Sequence, residues 1–251
     1  MTQQTNEARC VLAAPCKLAG TPACNDTCGH YIAIHSASGR HTLAGLPKDY
    51  RLVTLADSPA RADQADIYAR LTKYASTFER VYDGGDRIKS VYLYSESPGT
   101  GKTTTAAALL NAYLTAVYLG AKKRGLAPPR QPAYFLDVNE AQTTYNGFNR
   151  GRVPDEIAAP KATEYYRQLE RAKQADFAVL DDIGVRSATE GFRSDLHDVI
   201  NHRVTNERPT VYTSNIAMDG LADVFDARLA DRIGDMCVEF EFAGDSKRGR
   251  R

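Results

Sequence analysis

The chain carries almost no net charge. Lys and Arg number 32 against 31 Asp and Glu, a formal charge of +1, so no global field draws the protein onto nucleic acid or membrane, and such contacts need a local patch. Long apolar runs are missing too. The most apolar stretch, residues 105–121, is interrupted by Asn111 and Thr115 and is short for a bilayer span. The N-terminus, MTQQTNEARC, lacks the basic-then-apolar order of a secretory leader. The cysteines are five, an odd number, which argues against a fully paired secreted disulfide framework. No internal repeat is visible. The expectation from these deficits is a soluble protein of the cytoplasm with no membrane partner. In that compartment, clustered thiols point to metal ligation before disulfides.

The composition itself is globular. The 251 residues are 43% hydrophobic and 25% charged, which suits one sizeable domain with a small appendage and does not suit wholesale disorder. Residues 1–55 hold four of the five cysteines and three of the five histidines. They contain no periodic segment long enough for a core of its own, so they read as a small stapled module. Residues 56–251 read as the main domain. Within it, residues 58–82 are expected to be a helix, with Ser58-Pro59 at its start and Ile67, Leu71, Tyr74 and Phe78 at helical spacing.

Beyond Ile88, short β-rich runs alternate with helical stretches. The runs are Ser90–Ser95, Ala133–Val138, Phe177–Leu180, Thr210–Thr213 and Cys237–Phe242, and the helices between them include Thr103–Leu119, Lys161–Gln174 and Gly191–Asn206. This alternation predicts an α/β fold with a parallel, doubly wound five-stranded sheet.

The first run leads into ESPGTGKTTTA. Apart from Glu96 in place of the first glycine, it has the spacing of a phosphate-binding loop. Gly99 and Gly101 let the backbone turn its amides toward phosphate oxygens, Lys102 reaches the β and γ phosphates, and the Thr103 hydroxyl ligates magnesium. Pro98, Thr100 and Thr104 complete the expected nucleotide-binding set. A carboxylate aimed into the phosphates would repel them, so Glu96 is expected to point away. The run FAVLDD delivers Asp181 and Asp182 to the carboxyl edge of the sheet. Asp181 would hold magnesium, and Asp182 would orient or deprotonate the attacking water. The run TVYTSN ends in Asn215, a neutral amide for the γ-phosphate or the lytic water, although capping a turn is this residue's commoner task.

SPGTGKT, FAVLDDIG, RPTVYTSN, ARLADRI and GDSKR, in that order, resemble the AAA+ ATPases of the DnaC/DnaI type, the loaders of replicative helicases in bacteria and phages. The related IstB ATPases of transposition share much of the pattern. Gly45-Leu46-Pro47, Tyr50-Arg51 and Leu55 resemble the segment ahead of such ATPase cores. The resemblance implies ATP and magnesium as cofactors and slow, switch-like hydrolysis, since Asp182 stands where most AAA+ proteins carry Glu. It also implies a sheet without a full C-terminal lid, and assembly of copies through ATP-bridged interfaces. It makes Asn215 the sensor-1 residue, Arg232 the arginine finger with Arg228 as rival, and Arg248 the sensor-2 arginine; the plainer reading of each arginine is a solvated surface charge. Its partners would be a replicative helicase hexamer and single-stranded DNA. For the DNA, Tyr145, Phe148, Arg150 and Arg152 combine rings with cations, or else form a loop packed on the next helix.

Cys10, Cys16, Cys24 and Cys28 suit a tetrahedral zinc site, with His30 or His35 as substitute ligands. Some DnaI-type loaders carry such a module against the helicase. Two other readings stay open: an IstB-like remodelling ATPase, and a nucleotide-gated adaptor with negligible turnover. In a calorimetric titration with magnesium and ATP, Lys102→Ala should abolish tight binding, whereas Glu96→Gly should leave it intact or stronger.

Overall fold

The computed structural model describes residues 5–151, 153–184, 188–244 and 246. Ahead of the sheet lie four short helices, α1 (Gly29–His35), α2 (Arg40–Leu43), α3 (Ala65–Ser76) and α4 (Arg80–Asp83). Then follow β1 (Ser90–Tyr94), α5 (Lys102–Lys123), β2 (Ala133–Asp137), α6 (Val138–Phe148), α7 (Asp155–Gln174), β3 (Phe177–Asp181), α8 (Glu190–Thr205), β4 (Thr210–Ser214), α9 (Ala227–Met236) and β5 (Cys237–Glu241). The five strands form one parallel sheet in the order β2-β3-β4-β1-β5. Among the described residues no helix follows β5.

Residue alternation divides the core into two layers, because successive strand side chains face opposite ways. Val91, Leu93, Phe135, Phe177, Val179 and Val211 pack with α5. Tyr92, Tyr134, Leu136, Leu180 and Tyr212 pack against the helices of the other face, with Tyr165, Leu169, Leu196 and Ile200. The tyrosines keep their hydroxyls satisfied, Tyr92 by donating to the Ile216 carbonyl at 2.7 Å and Tyr165 to Asp195 Oδ2 at 2.9 Å. Helix α5 is long and apolar enough to cross a membrane by length and composition, yet it is largely buried in the core.

Several expected boundaries move. The helix expected from residue 58 begins at Ala65. Ser58 does not cap it, because its hydroxyl is bonded 2.6 Å from Tyr68 Oη, and the residues up to Gln64 run as turns beside the phosphate loop. Helix α7 starts at Asp155 and runs through Pro160, which deprives the Glu156 carbonyl of a helical donor; Asp155 and Glu156 favour the earlier start by complementing the helix dipole. Helix α6 was not expected, and Asp137 caps it by accepting from the Glu140 amide at 2.9 Å.

The N-terminal residues lie on the outside of α5. His30 Nδ1 is 2.8 Å from Tyr118 Oη, and His35 Nε2 accepts from the Val11 amide at 3.2 Å. Arg40 donates to the carbonyls of Ala33, Pro128 and Pro129 and stacks over Tyr118. The Ala44 carbonyl accepts from the Phe135 amide on β2 at 2.7 Å, and Ala44, Leu46 and Leu55 join the α5 layer. Apolar packing is thus continuous across residue 55.

Among the described residues Arg203 is the largest fully buried side chain. Its guanidinium donates to Thr210 Oγ1 at 2.8 Å and to the carbonyls of Ala172, Ala175 and Pro209 at 2.6, 2.8 and 2.9 Å. It thereby satisfies the last carbonyls of α7, which have no intrahelical donor, and ties them to the start of β4. Burial lowers its pKa to about 10, so it stays charged at neutral pH. Arg203→Ala should cost about 3–5 kcal/mol in urea unfolding, through the cavity and the stranded carbonyls.

Candidate nucleotide-binding site

The strand order sets the site. The chain leaves β1, crosses to the far edge at β2 and returns through β3 and β4 to lie beside β1 again. The carboxyl ends of β1, β4 and β3 therefore lie next to one another, where ligands of open α/β sheets bind.

After β1 the chain curls through Gly99 and Gly101, at φ +79° and +102°, a region in which only glycine sits without strain. Gly101 is doubly constrained, since a Cβ there would lie 2.4 Å from Ala60 Cβ. Helix α5 then begins at Lys102, with its amino end facing the loop. The Lys102 side chain is buried, and its Nζ donates to the carbonyls of Ser95 and Ser97 at 3.1 and 3.2 Å and to Asn215 Oδ1 at 2.8 Å.

Across the loop, Thr103 Oγ1 donates to Asp181 Oδ2 at 3.1 Å, and Thr213 Oγ1 donates to Asp181 Oδ1 at 2.7 Å. Burial pushes the Asp181 carboxyl up to about 6; the two threonine hydroxyls pull it down, and the charges of Asp137 and Asp182 push it further up. Asp182 adopts φ +63°, a left-handed conformation that is costly for a residue with a side chain. Thr213 Oγ1 accepts from its amide at 2.8 Å, and Asn139 Nδ2 donates to Asp182 Oδ2 at 2.7 Å.

These groups surround a cavity of about 840 Å³ lined by Pro98–Thr104, Asp181, Asp182, Thr213 and Asn215, with Pro47, Tyr50 and Pro59 along its outer wall. The size suits a drug-sized or nucleotide ligand. Glu96 is exposed and faces the Tyr94 hydroxyl. Thr103 Oγ1 and the Asp181 carboxylate, 3.1 Å apart, are the oxygens that could hold magnesium, which takes water and phosphate oxygens beside one or two protein oxygens. Among the described residues no three of His, Cys, Asp and Glu gather around a metal position.

The same observation leaves the zinc expectation without support. Cys10, Cys16, Cys24 and Cys28 are free thiols. Cys10 has the other three near enough to add, after burial, to the rise in its pKa. Each sits on its own tight turn, with bonds such as Ala13 N to Cys10 O and Cys24 N to Thr21 O, and His30 and His35 are engaged elsewhere.

For the rings expected either to stack bases or to pack on the next helix, the structure has them packed. Tyr145 is buried on α6 between Phe148, Tyr165 and Phe192 and offers no free ring; Phe148 is half-buried in the same cluster. Arg150 is exposed. Arg152 and Arg248 lie outside the described residues.

Arg232 is not at the cavity. It donates to Asn201 Oδ1 at 2.6 Å and Thr205 Oγ1 at 2.9 Å on α8, while Arg228, one turn earlier on α9, is exposed. The roles of Asn139 and Thr213 escaped sequence reading. Each acts through a partner on another strand or helix, and nothing local in the sequence signals such a pairing.

A glycine-rich loop after β1, paired acids at the end of β3 and an amide after β4 meet at one edge of a parallel α/β sheet. No protein-family model matches the chain. The phage-like element PBSX protein XkdC of Bacillus subtilis (strain 168) is 26% identical over 180 residues, 70% of this chain and 57% of that protein; the chain thus matches little more than half of that relative's length. A crystal structure of DnaI is 22% identical at a TM-score of 0.53, over 81% of this chain and 94% of that one. The DnaC helicase loader is 19% identical at 0.53, over 78% and 100%. AMPPCP-bound DnaA from Aquifex aeolicus is 19% identical at 0.51, over 80% and 52%. The chain shares the fold of these proteins.

Ionised Asp181 is a cost in the nucleotide-free protein. Its folded pKa lies above the ordinary value, so stability from this group falls as pH rises from about 4 to about 6 and is level above that. Asp181→Asn should therefore stabilise the nucleotide-free protein at pH 7 by on the order of 1–3 kcal/mol, with the gain vanishing toward pH 4, as read by thermal unfolding across pH.

Proposed function

We propose that the protein is an ATP-dependent loader of a replicative DNA helicase, a soluble cytoplasmic protein in which ATP binding and slow hydrolysis switch an assembly that delivers the helicase hexamer to single-stranded DNA. One observation carries the nucleotide half of this reading: Lys102, Thr103, Asp181 and Asn215 converge on one cavity behind a loop whose glycines expose its amides. The loader half is supported by the shared fold with DnaI and the DnaC helicase loader, and a phage or prophage origin by the phage-like element relative. The AMPPCP bound to DnaA, a protein of similar fold, supports an adenine nucleotide as the ligand.

In this reading the loop amides and Lys102 bind the β and γ phosphates, so Lys102 turns from Asn215 toward the nucleotide. Thr103 and Asp181 hold magnesium, which neutralises charge on the phosphate oxygens when bound. Asp182 orients the attacking water and accepts its proton. Asn139 holds one oxygen of that carboxylate in the nucleotide-free state, so this bond competes with the attacking water for Asp182 unless the water takes the carboxylate's other lone pairs. The same bond favours the second reading, a nucleotide-gated adaptor of negligible turnover. Arg232 would have to leave Asn201 and Thr205 to reach a neighbouring copy's nucleotide, while exposed Arg228 needs no such exchange.

Single-turnover hydrolysis should fall at least about a hundredfold in Asp182→Asn with binding retained, and should fall in Arg228→Ala or Arg232→Ala only at concentrations where copies assemble. Equal hydrolysis in all of them would remove these residues from catalysis. Co-purification with the host's replicative helicase tests the partner, and recovery of a transposase in its place would favour the IstB-like alternative.

A further inference from the structure

We propose that Tyr68 is a positioning residue for the phosphate loop. Its hydroxyl locks the segment 58–64 onto Gly101 and so sets how tightly the loop holds a triphosphate. This inference rests on the ATP-binding reading above.

Tyr68 sits on α3, entirely buried. Its Oη lies 2.6 Å from Ser58 Oγ and 2.6 Å from Thr105 Oγ1. Thr105 Oγ1 donates to the Gly101 carbonyl at 2.8 Å, and the Ala60 amide donates to Ser58 Oγ at 3.4 Å. Each hydroxyl has a single proton, so the directions follow. Thr105 spends its proton on Gly101, Tyr68 therefore donates to Thr105, and Ser58 donates to Tyr68. The result is a one-way relay from the Ala60 amide to the Gly101 carbonyl.

The two ends of that relay touch. The position a Cβ of Gly101 would take lies against Ala60 Cβ, so the bonds close a ring around the start of α5. In a planar trans peptide the N–H points opposite to the C=O. Drawing the Gly101 carbonyl toward Thr105 therefore turns the Lys102 amide the other way, out of the helix. Bonds in such a chain strengthen one another in a low-dielectric interior. The far end of the segment is pinned as well, since buried Gln64 donates through Nε2 to the Ala243 carbonyl at 2.5 Å. Between the pins, Pro59, Ala60 and Asp63 line the cavity. A phenylalanine would fill the core as well as this tyrosine does. The hydroxyl adds no packing and would carry a desolvation cost if unbonded, so its contribution is the relay.

The test uses the full chain, magnesium and a non-hydrolysable ATP analogue, read by calorimetry and by amide hydrogen exchange. Tyr68→Phe and Thr105→Val should each weaken binding about tenfold, the scale of one hydrogen bond. Thr105→Ser, which keeps the hydroxyl, should stay within about twofold. The double variant should be little weaker than either single one, because both break one relay. Analogue-induced protection of amides 60–64 should appear in the wild-type protein and be lost in Tyr68→Phe. Wild-type affinity and protection in Tyr68→Phe would overturn the inference alone, and a loss of thermal stability without loss of affinity would make the hydroxyl merely structural and overturn it too. No heat from the wild-type protein would overturn the ATP-binding reading and this inference with it.

Discussion

The arrangement depends on one buried carboxylate. Asp181 leaves water at the end of β3, and an isolated carboxylate there would be expelled or protonated. Two threonine hydroxyls from different elements, Thr103 on α5 and Thr213 on β4, meet its two oxygens. That pair of bonds ties the loop helix to the acidic strand across the intervening strand. The same Thr213 oxygen accepts the Asp182 amide, which holds Asp182 in its left-handed turn and directs it at the cavity rim. The protein therefore keeps a partly protonatable acid in its centre, and a divalent cation would relieve the cost of ionising it.

Buried charge recurs elsewhere and is handled differently. Both Arg203 and Lys102 donate to backbone carbonyls and to a neutral side-chain oxygen. Arg203 is held by the carbonyl ends of α7 and the start of β4, and Lys102 by loop carbonyls and one side-chain amide. The arginine is a fixed staple, because its planar fork matches several carbonyls at once. The lysine is a single point charge on a flexible stem, and these carbonyls and the amide are weaker acceptors than phosphate oxygens would be. One buried cation thus serves stability, and the other is poised to change partners.

The residues ahead of β1 belong to the site as much as the sheet does. Pro47, Tyr50 and Pro59 form its outer wall, Ala60 presses on Gly101, and Asn111 on α5 holds the chain there by donating to the carbonyls of Tyr50 and Val53. The turn-rich arm ahead of them is held against α5 by His30 and Arg40, which both meet Tyr118, and no metal is needed to explain that packing. Of the two histidines considered as substitute zinc ligands, His30 docks the arm on Tyr118 of α5 and His35 ties the arm to itself through the Val11 amide.

The parallel sheet, the phosphate loop, the two aspartates and Asn215 were legible in the sequence, because each is a local pattern: strand followed by glycine-rich turn followed by helix, or an apolar run ending in acids. Local chemistry dictates these wherever they fall in the chain. The start of α3, the existence of α6 and the burial of Tyr145 were not legible. Ser58 looks like a cap until Tyr68 claims its hydroxyl, and the rings of QTTYNGFNRGR look exposed until α7 and α8 cover them. Asn139 against Asp182, Arg232 against α8 and the closed relay through Tyr68 join residues tens of positions apart. Only the folding of strands and helices onto one another brings such groups within hydrogen-bond reach, so the tertiary structure alone decided which of the polar residues act together.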